Sequence, residues 1–303
     1  MSKTPGKTLK VAVIGPKGQC GACVVDELLS RGHAVVGISR SPPQSWPRPG
    51  NYSSVALNIY NTKALAEALS QNFDAIVCAF GPPLVDLKTV YAETCEAQAK
   101  IKQALLLSTH KGPFVIIGGA GSLHNKDGSD FADLPDFPFP QWYSWPDQHL
   151  DYMRVRSKDH GSGGFHKFIS MFKWARNNIE HPGWFSWILR PFARLFMRRA
   201  RNFMIKPEAR GLITGSRIAL RMWEGVTEKR WSFLSPPWLL RDKGIRTGKY
   251  EKFIDSIESP AYQGVEGGIY NEDMAVAIVD EVEKPETDYK HWTCTGPIGL
   301  KEW

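Results

Sequence analysis

The sequence lacks two features that would mark it as a secreted or membrane-spanning protein. It has 5 cysteines among 303 residues, too few for the disulfide framework of a small secreted domain. It also has no uncharged apolar run of the roughly 18 residues that a membrane-spanning helix needs. The first apolar run, Val11–Ile14, is shorter than a signal-peptide core. We therefore expect a cytoplasmic protein whose cysteines are thiols.

Acidic residues are scarce in only one part of the chain. The whole sequence has 38 Lys and Arg against 31 Asp and Glu. Residues 152–210 alone have 13 against 3, so the rest of the chain is slightly acidic. With 42% hydrophobic and 23% charged residues, the composition is typical of a folded globular chain and excludes a mainly disordered one.

Short apolar runs alternate with helical patterns through the first part of the chain. The predicted strands are Leu9–Ile14, Ala34–Ile38, Val55–Asn58, Asp74–Ala79 and Pro113–Ile117. The predicted helices between them are Gln19–Arg31, Thr62–Gln71 and Leu84–His110. Such alternation indicates an α/β fold of the Rossmann type, with a doubly wound parallel sheet in the strand order 3-2-1-4-5-6.

The first predicted strand ends in a glycine-rich loop, Gly15-Pro16-Lys17-Gly18-Gln19-Cys20-Gly21. Three glycines at this spacing allow a tight turn, a close approach of the backbone to a diphosphate, and close packing of helix against strand. The helix that follows aims its free N–H groups at the anion. Because the loop follows a strand and opens a helix, it predicts a dinucleotide-binding site.

The residues at the end of the second predicted strand bear on the choice between NAD and NADP. An acidic side chain there would bind the ribose 2′-hydroxyl of NAD, but the sequence has Ile38-Ser39-Arg40-Ser41. Arg40 can pair with a 2′-phosphate, and Lys17 can assist it. We therefore predict that NADP(H) is preferred over NAD(H).

Further segments support a family resemblance over about residues 9–140 and 207–295. They are Asp74–Pro83, Phe114–Leu123, Trp231–Pro237, Arg246–Tyr250 and Asn271–Val282. Together with the glycine loop, they make the chain resemble the atypical short-chain dehydrogenase/reductase group of NmrA-like and biliverdin-reductase-B-like NAD(P)H-binding proteins. The loop is similar to that family's G-A-T-G-x-T-G, although Pro16-Lys17 and Gln19-Cys20 depart from it.

The resemblance also implies which residues line the cofactor. The diphosphate would lie against Gly15, Lys17, Gly18, Gln19, Cys20 and Gly21. The adenosine part would lie beside Arg40, Asn58 and Ile59, where Asn58 stands in place of the family's frequent Asp. The nicotinamide end would lie near Phe80, Gly81, Pro82, Gly118 and Gly119.

Three side chains are candidates for proton transfer. Short-chain dehydrogenases generally pair a tyrosine with a lysine one helical turn away, and this sequence has Tyr152-Met-Arg-Val-Arg156 instead. Arginine can stabilise a phenolate, so Tyr152 is a candidate acid. Ser122 and His124 follow the fifth predicted strand, where a hydroxyl or an imidazole could reach a substrate carbonyl. Hydride transfer needs no protein acid if water supplies the proton.

The cysteines give no clear catalytic or metal-binding pattern. Cys20 and Cys23 form a C-x-x-C pair at the start of a predicted helix, where a thiol pKa can fall. A redox pair is one interpretation, and packing on the helix face is the favoured one. No cysteine and histidine set has zinc-site spacing, and no Walker or G-x-S-x-G motif occurs. We expect no metal.

The segment between Phe139 and Pro207 departs from the family pattern and holds 5 of the 11 tryptophans. An amphipathic helix is predicted from the spacing of Phe165, Phe168, Ile169, Phe172 and Ile179. Gly161–Gly164 would be a hinge before it, and Pro191 is predicted to begin a second helix.

This basic, aromatic segment has three interpretations. It could be a lid over the nicotinamide pocket that offers aromatic surface to a bulky apolar substrate. Residues 160–204 could contact an anionic membrane surface or a protein partner. The segment could also be a packed subdomain with a solvated basic face. Nucleic-acid binding is not expected, because no reader motif accompanies the arginines.

The sequence therefore predicts three regions: a Rossmann core at 1–140, a helical insertion at 141–206, and a C-terminal part at 207–303. The leading functional hypothesis is an NADPH-dependent oxidoreductase that acts on a bulky apolar small molecule, such as a secondary-metabolite intermediate. An NmrA-like dinucleotide sensor without turnover and a non-redox isomerase or cyclase are the alternatives.

Overall fold

The computed structural model describes residues 7–82, 89–159, 164–181, 183–255, 260 and 267–299. In chain order the strands are β1 (Lys10–Ile14), β2 (Ala34–Ser39), β3 (Tyr52–Ala56), β4 (Ala75–Cys78), β5 (Phe114–Ile117), β6 (Trp231–Leu234), β7 (Leu240–Arg241), β8 (Glu251–Ile254), β9 (Ile269–Tyr270) and β10 (Lys290–Thr295). The helices are α1 (Gln19–Ser30), α2 (Thr62–Leu69), α3 (Val90–Leu107), α4 (Phe139–Ser144), α5 (Asp147–Asp159), α6 (Phe165–Glu180), α7 (Ser186–Met204), α8 (Gly211–Trp223) and α9 (Asn271–Glu283).

Within the described residues, eight strands form one sheet in the order β3-β2-β1-β4-β5-β6-β10-β8. Neighbouring strands pair in parallel from β3 to β10, and β8 is the antiparallel edge. The predicted Rossmann order 3-2-1-4-5-6 is confirmed, and β10 and β8 extend it. β7 and β9 pair in parallel as a separate two-stranded ribbon.

Side chains of β1 alternate between the two faces of the sheet. Ala12 and Ile14 belong to a buried cluster with apolar residues of α2, α3 and α8. Val11 and Val13 belong to a second cluster with residues of α1 and α9. Both faces of the central strands are therefore covered, which explains why these strands are continuous apolar runs.

The third strand and the third helix differ in extent from their predicted bounds. The third strand was predicted at Val55–Asn58, but β3 is Tyr52–Ala56. It is the edge strand and only half-buried, so pairing with β2 decides its bounds more than an apolar run does. For the predicted helix Leu84–His110, α3 confirms the part from Val90 to Leu107, and residues 84–88 lie outside the described residues.

The insertion is a group of helices, α4 to α7, with its own apolar cluster. Its buried members include Trp142, Trp145, Ile169, Phe172 and Met197. The predicted amphipathic helix is confirmed as α6, and residues 161–163 of the predicted hinge lie outside the described residues. The division into regions at 140 and 206 stays a prediction.

The start of α7 corrects one prediction. Pro191 was expected to begin this helix, but α7 begins at Ser186 and Pro191 lies inside it. Proline removes the N–H that would bond to the carbonyl of Trp187, four residues earlier. Trp187 is exposed, so water can satisfy that carbonyl, and the helix continues. None of the helices in the described ranges is long and apolar enough to cross a membrane.

Candidate dinucleotide-binding site

The glycine loop connects β1 to α1 at the carboxyl edge of the sheet, and its three glycines differ in their surroundings. Gly15 has a φ of +81°, and a Cβ there would lie 2.9 Å from the carbonyl oxygen of Ala79. A Cβ at Gly21 would lie 2.2 Å from the carbonyl oxygen of Gly15. Gly18 is exposed between them. The loop thus has the turn, the close helix–strand contact and the open backbone approach that a diphosphate site needs.

The N-terminus of α1 is suited to an anion. Its N-cap residue is Gly18, which provides no side-chain hydrogen bond, and the first turn contains no acidic residue. The free N–H groups and the positive end of the helix therefore face the loop with no carboxylate in the first turn of the helix itself. Lys17 is exposed beside them. These residues fit a bound diphosphate.

The end of β2 has the polar groups expected beside an adenosine ribose. Arg40 is exposed there, and among the described residues it forms no ion pair. The adjacent Ser39 hydroxyl is buried and has no hydrogen-bond partner in the described part of the chain. Burial and the Glu93 charge raise the pKa of Tyr60, and Arg40 opposes the rise. The Arg40 charge is therefore exposed and available to a phosphate.

The two residues implied beside the adenine differ in exposure. Asn58 is exposed, and its Oδ1 accepts a hydrogen bond from the backbone N–H of Tyr60 at 3.2 Å. Ile59 is buried and packs in the sheet–helix core with Leu65. The structure thus leaves Asn58 accessible, whereas Ile59 contributes mainly to the core.

The glycine after β4 lies in open space, whereas the two glycines after β5 are closely packed. Phe80, Gly81 and Pro82 follow β4, and nothing lies within 4 Å of a Cβ placed at Gly81. A Cβ at Gly118 would lie 2.3 Å from the Phe233 ring, and one at Gly119 would lie 2.3 Å from the Ser216 hydroxyl. Close packing against β6 and α8 therefore explains why residues 118 and 119 are glycine, and a cofactor-binding role for Gly118 and Gly119 stays a prediction.

The Ser122 hydroxyl is part of a buried chain of hydrogen bonds. It donates to the carbonyl oxygen of Gly119 at 2.7 Å and lies 2.6 Å from the hydroxyl of Ser235. Ser235 in turn lies 2.7 Å from Nε2 of His291. Burial lowers the pKa of His291 to about 3, so the ring is neutral. Because Ser122 donates its hydrogen to Gly119, Ser235 donates to Ser122 and accepts from Nε2 of His291. Ser122 is fully buried, and its catalytic role stays a prediction.

His124 lies next to this hydrogen-bond chain. Its ring centroid is 4.8 Å from that of His291, in an edge-on arrangement. Its Nδ1 lies 3.0 Å from the carbonyl oxygen of Asp255, and its Nε2 lies 3.6 Å from Asp130. These contacts orient the imidazole within the protein, and its proposed role as an acid stays a prediction.

Tyr152 is buried and bound to a residue that the sequence patterns did not single out. Its hydroxyl donates to Oδ1 of Asp242 at 2.9 Å and accepts from the Asp242 backbone N–H at 3.1 Å. Arg156 pairs with the other carboxylate oxygen of Asp242 at 2.9 Å. Burial raises the pKa of Tyr152 well above its usual range, and the Asp242 carboxylate adds to the rise. The side chain is therefore a phenol, and Arg156 neutralises Asp242.

This group joins the insertion to the glycine loop. The side-chain amide of Gln19, the first residue of α1, donates to the Tyr152 hydroxyl at 3.4 Å. Arg241, which is fully buried, lies over the Tyr152 ring at 5.4 Å and donates through Nε to His149 at 3.3 Å. Sequence reasoning missed Arg241 and Asp242, because only the packing of β7 against α5 brings them to Tyr152.

The C-x-x-C pair is part of the packing between α1 and α9. Cys20 and Cys23 are free thiols, and the Cys20 thiol lies 3.8 Å from the side-chain oxygen of Asn271. Burial raises the pKa of both thiols to about 12. Such thiols are protonated at neutral pH, which supports packing over a redox pair.

Comparison with known families agrees with this geometry. Residues 15–160, nearly half of the chain, match the model of a family described as NAD(P)H-binding. The match includes the glycine loop, the end of β2 and Tyr152. This part of the chain is therefore similar to an NAD(P)H-binding family, in agreement with the predicted dinucleotide site.

Two curated relatives and two solved structures illustrate the likeness. The uncharacterized protein YwnB of Bacillus subtilis is 22% identical over 94% of this chain and 97% of its own length. An uncharacterized Mycobacterium bovis protein is 37% identical over 62 residues, which are 20% of this chain and 7% of that protein.

Among solved structures, a candidate epimerase of Bacteroides thetaiotaomicron has a TM-score of 0.63 at 19% identity, over 97% of this chain and 100% of that one. A candidate NADH-flavin reductase of Streptococcus pneumoniae has a TM-score of 0.60 at 20% identity, over 95% of this chain and 99% of that one. At these identities the likeness shows the fold.

Proposed function

We propose that the chain is an NADPH-dependent oxidoreductase. The observation that carries the proposal is the uncapped N-terminus of α1 behind the glycine loop, together with Arg40 beside the Ser39 hydroxyl, which has no hydrogen-bond partner among the described residues. The first group fits a diphosphate and the second fits a 2′-phosphate. A cytoplasmic location is proposed with it, from the sequence.

The chain's own residues would bind and orient, while the nicotinamide would supply the hydride chemistry. Lys17 and the N–H groups of α1 would hold the diphosphate, and Arg40 would hold the 2′-phosphate. The Tyr152 phenol is bound to Asp242, so it positions α5 against the loop at Gln19. Under this proposal, water provides the proton.

The substrate is proposed to be a bulky apolar small molecule. Support comes from the aromatic side chains at the carboxyl side of β6, where Trp238 stacks on Trp145 with ring centroids 5.5 Å apart. Phe131 and Phe137 are fully buried and pack against the Trp238 indole, so Trp238 is the ring of this group that stays partly exposed. A secondary-metabolite intermediate with a carbonyl or quinone group would contact that indole.

The test is a spectrophotometric assay of NADPH oxidation with a panel of apolar aldehydes, ketones and quinones. We expect turnover with at least one member and its loss in Lys17→Glu, which brings a carboxylate to the anion site. Lys111→Glu is the matched control, because Lys111 precedes β5 at the opposite edge of the sheet and should leave the rate unchanged. No oxidation with any member would contradict the proposal.

One observation favours a second function, a dinucleotide sensor without turnover. The hydroxyls of Tyr152 and Ser122 are both buried and engaged by protein groups. A sensor predicts tight NADP binding with no consumption and co-purification of a protein partner. A non-redox isomerase or cyclase would instead form its product whether or not the dinucleotide is present.

A further inference from the structure

The turn before α7 and the first half of this helix carry a row of large exposed apolar side chains. Trp184 is 88% exposed, Phe185 63%, Trp187 73% and Phe192 65%. Ile188 and Leu195 are exposed as well, and Ile188, Phe192 and Leu195 are spaced as neighbours along one side of a helix. We call these six residues the apolar face. A contiguous set of this kind marks a surface that binds something.

The apolar face belongs to a helix whose other side is fixed. Ala193, Met197, Ala200 and Met204 recur at helical spacing and are buried in the cluster of the insertion. The helix α7 itself packs mainly against α6 and also contacts α4. The helix therefore cannot rotate to bury the apolar face without exposing its packed side.

Positive charge surrounds the apolar face. Residues 181–207 contain five arginines and one lysine and no acidic residue. Arg194, Arg198 and Arg199 are exposed, and none of them forms an ion pair with a described residue. Arg201, by contrast, pairs with Asp136. The cations nearest the apolar face are thus available to anions outside the molecule.

We propose that α7 docks this protein on an anionic lipid bilayer surface. Tryptophan and phenylalanine side chains enter the boundary between headgroups and acyl chains, where an indole keeps its N–H near water. Arg194, Arg198 and Arg199 then lie at the level of lipid phosphates and contribute electrostatic attraction. The charge complementarity selects an anionic bilayer over an uncharged apolar partner, and the inference is independent of the proposed oxidoreductase activity.

The test is co-sedimentation of the purified full chain with vesicles. Phosphatidylcholine vesicles with and without a third of phosphatidylserine are compared at low and high salt. We expect binding to the anionic vesicles only, with a loss at high salt. Arg194→Gln with Arg198→Gln should lower the partition coefficient about fivefold for each arginine removed.

The apolar contribution is tested with Trp187→Ser and Phe192→Ser together. We expect this variant to lose about tenfold or more in partitioning. Leu107→Ser with Ile245→Ser is the matched control, since both side chains are exposed elsewhere on the surface and should leave partitioning unchanged. Thermal unfolding verifies that each variant is folded.

Two results would overturn the proposal. One is the absence of binding to vesicles of either composition. The other is a stable dimer, measured by light scattering after size-exclusion chromatography, that dissociates in the Trp187→Ser and Phe192→Ser variant, because the apolar face would then be an interface between two copies of the chain.

Discussion

The sheet core and the insertion are both rich in large apolar side chains, but they use them differently. In the sheet core, Trp223 and Trp292 are fully buried between strands and helices. In the insertion, Phe172 is buried, while Trp184 and Trp187 at α7 face outward. The periodicity of apolar residues thus predicts a helix in both regions, but it does not indicate which apolar side chains the fold itself covers.

The two regions should differ most in how much stability is lost when a tryptophan is replaced. Trp292→Ala should lower the free energy of unfolding by about 3–5 kcal/mol, because it leaves a cavity in the core and removes the indole N–H bond to Ser232. Trp184→Ala should change it by no more than about 0.5 kcal/mol. Urea unfolding measures both, and equal losses would contradict the assigned burial.

Two glycines give the next contrast. Gly21→Ala places a methyl group 2.2 Å from the carbonyl oxygen of Gly15, so α1 must shift, at a cost of about 1–3 kcal/mol. A methyl group at Gly183, in the insertion, would have nothing within 4 Å, so Gly183→Ala should not lower the free energy of unfolding. Urea unfolding compares the two variants, and NADPH titration should show weaker binding only for the first. Unchanged stability and binding in Gly21→Ala would contradict the loop geometry.

Arg40 allows a test of cofactor preference. Arg40→Asp should weaken NADPH binding by roughly 10- to 100-fold, because a charged hydrogen bond contributes about 1.5–3 kcal/mol. NADH binding should change much less. Fluorescence titration of both nucleotides checks this, and equal losses for the two would remove the case for NADPH.

Two buried histidines, one in each region, make the stability of the folded chain depend on pH. Burial lowers the pKa of His149 and of His291 to about 3. In the unfolded chain each ring takes up a proton below about pH 6.5, whereas the folded protein resists protonation until about pH 3. The two histidines therefore do not reduce the free energy of unfolding above pH 6.5. Below that pH the free energy of unfolding falls by at most about 1.4 kcal/mol per pH unit for each histidine.

The measurement is urea unfolding between pH 7 and pH 4, about the range in which the folded rings stay neutral. The double variant His149→Gln and His291→Gln should show a flatter pH dependence than the native chain. An identical slope would mean that these rings are not buried in the neutral form.

Most of the fold follows from local sequence signals. Gly15–Gly21 after an apolar strand predicts both the crossover and the diphosphate site, because turn, helix start and strand end are all encoded within a few neighbouring residues. β10 and β8 were not predicted, since their pairing depends on contacts between segments far apart along the chain.

The candidate site was less predictable for the same reason. Tyr152 was singled out through its spacing to Arg156, but its partner Asp242 lies 90 residues later and has no motif of its own. The position of Pro191 inside α7 depends on solvent reaching the Trp187 carbonyl, which a proline signal alone does not indicate.

The proposed function depends on a diphosphate bound at the N-terminus of α1, and calorimetric titration of the purified chain with NADPH tests this binding most directly. We predict one binding site per chain, with binding lost in Lys17→Glu and retained in Lys111→Glu. A titration that shows no binding of NADPH or NADH at the highest concentrations reached would contradict it.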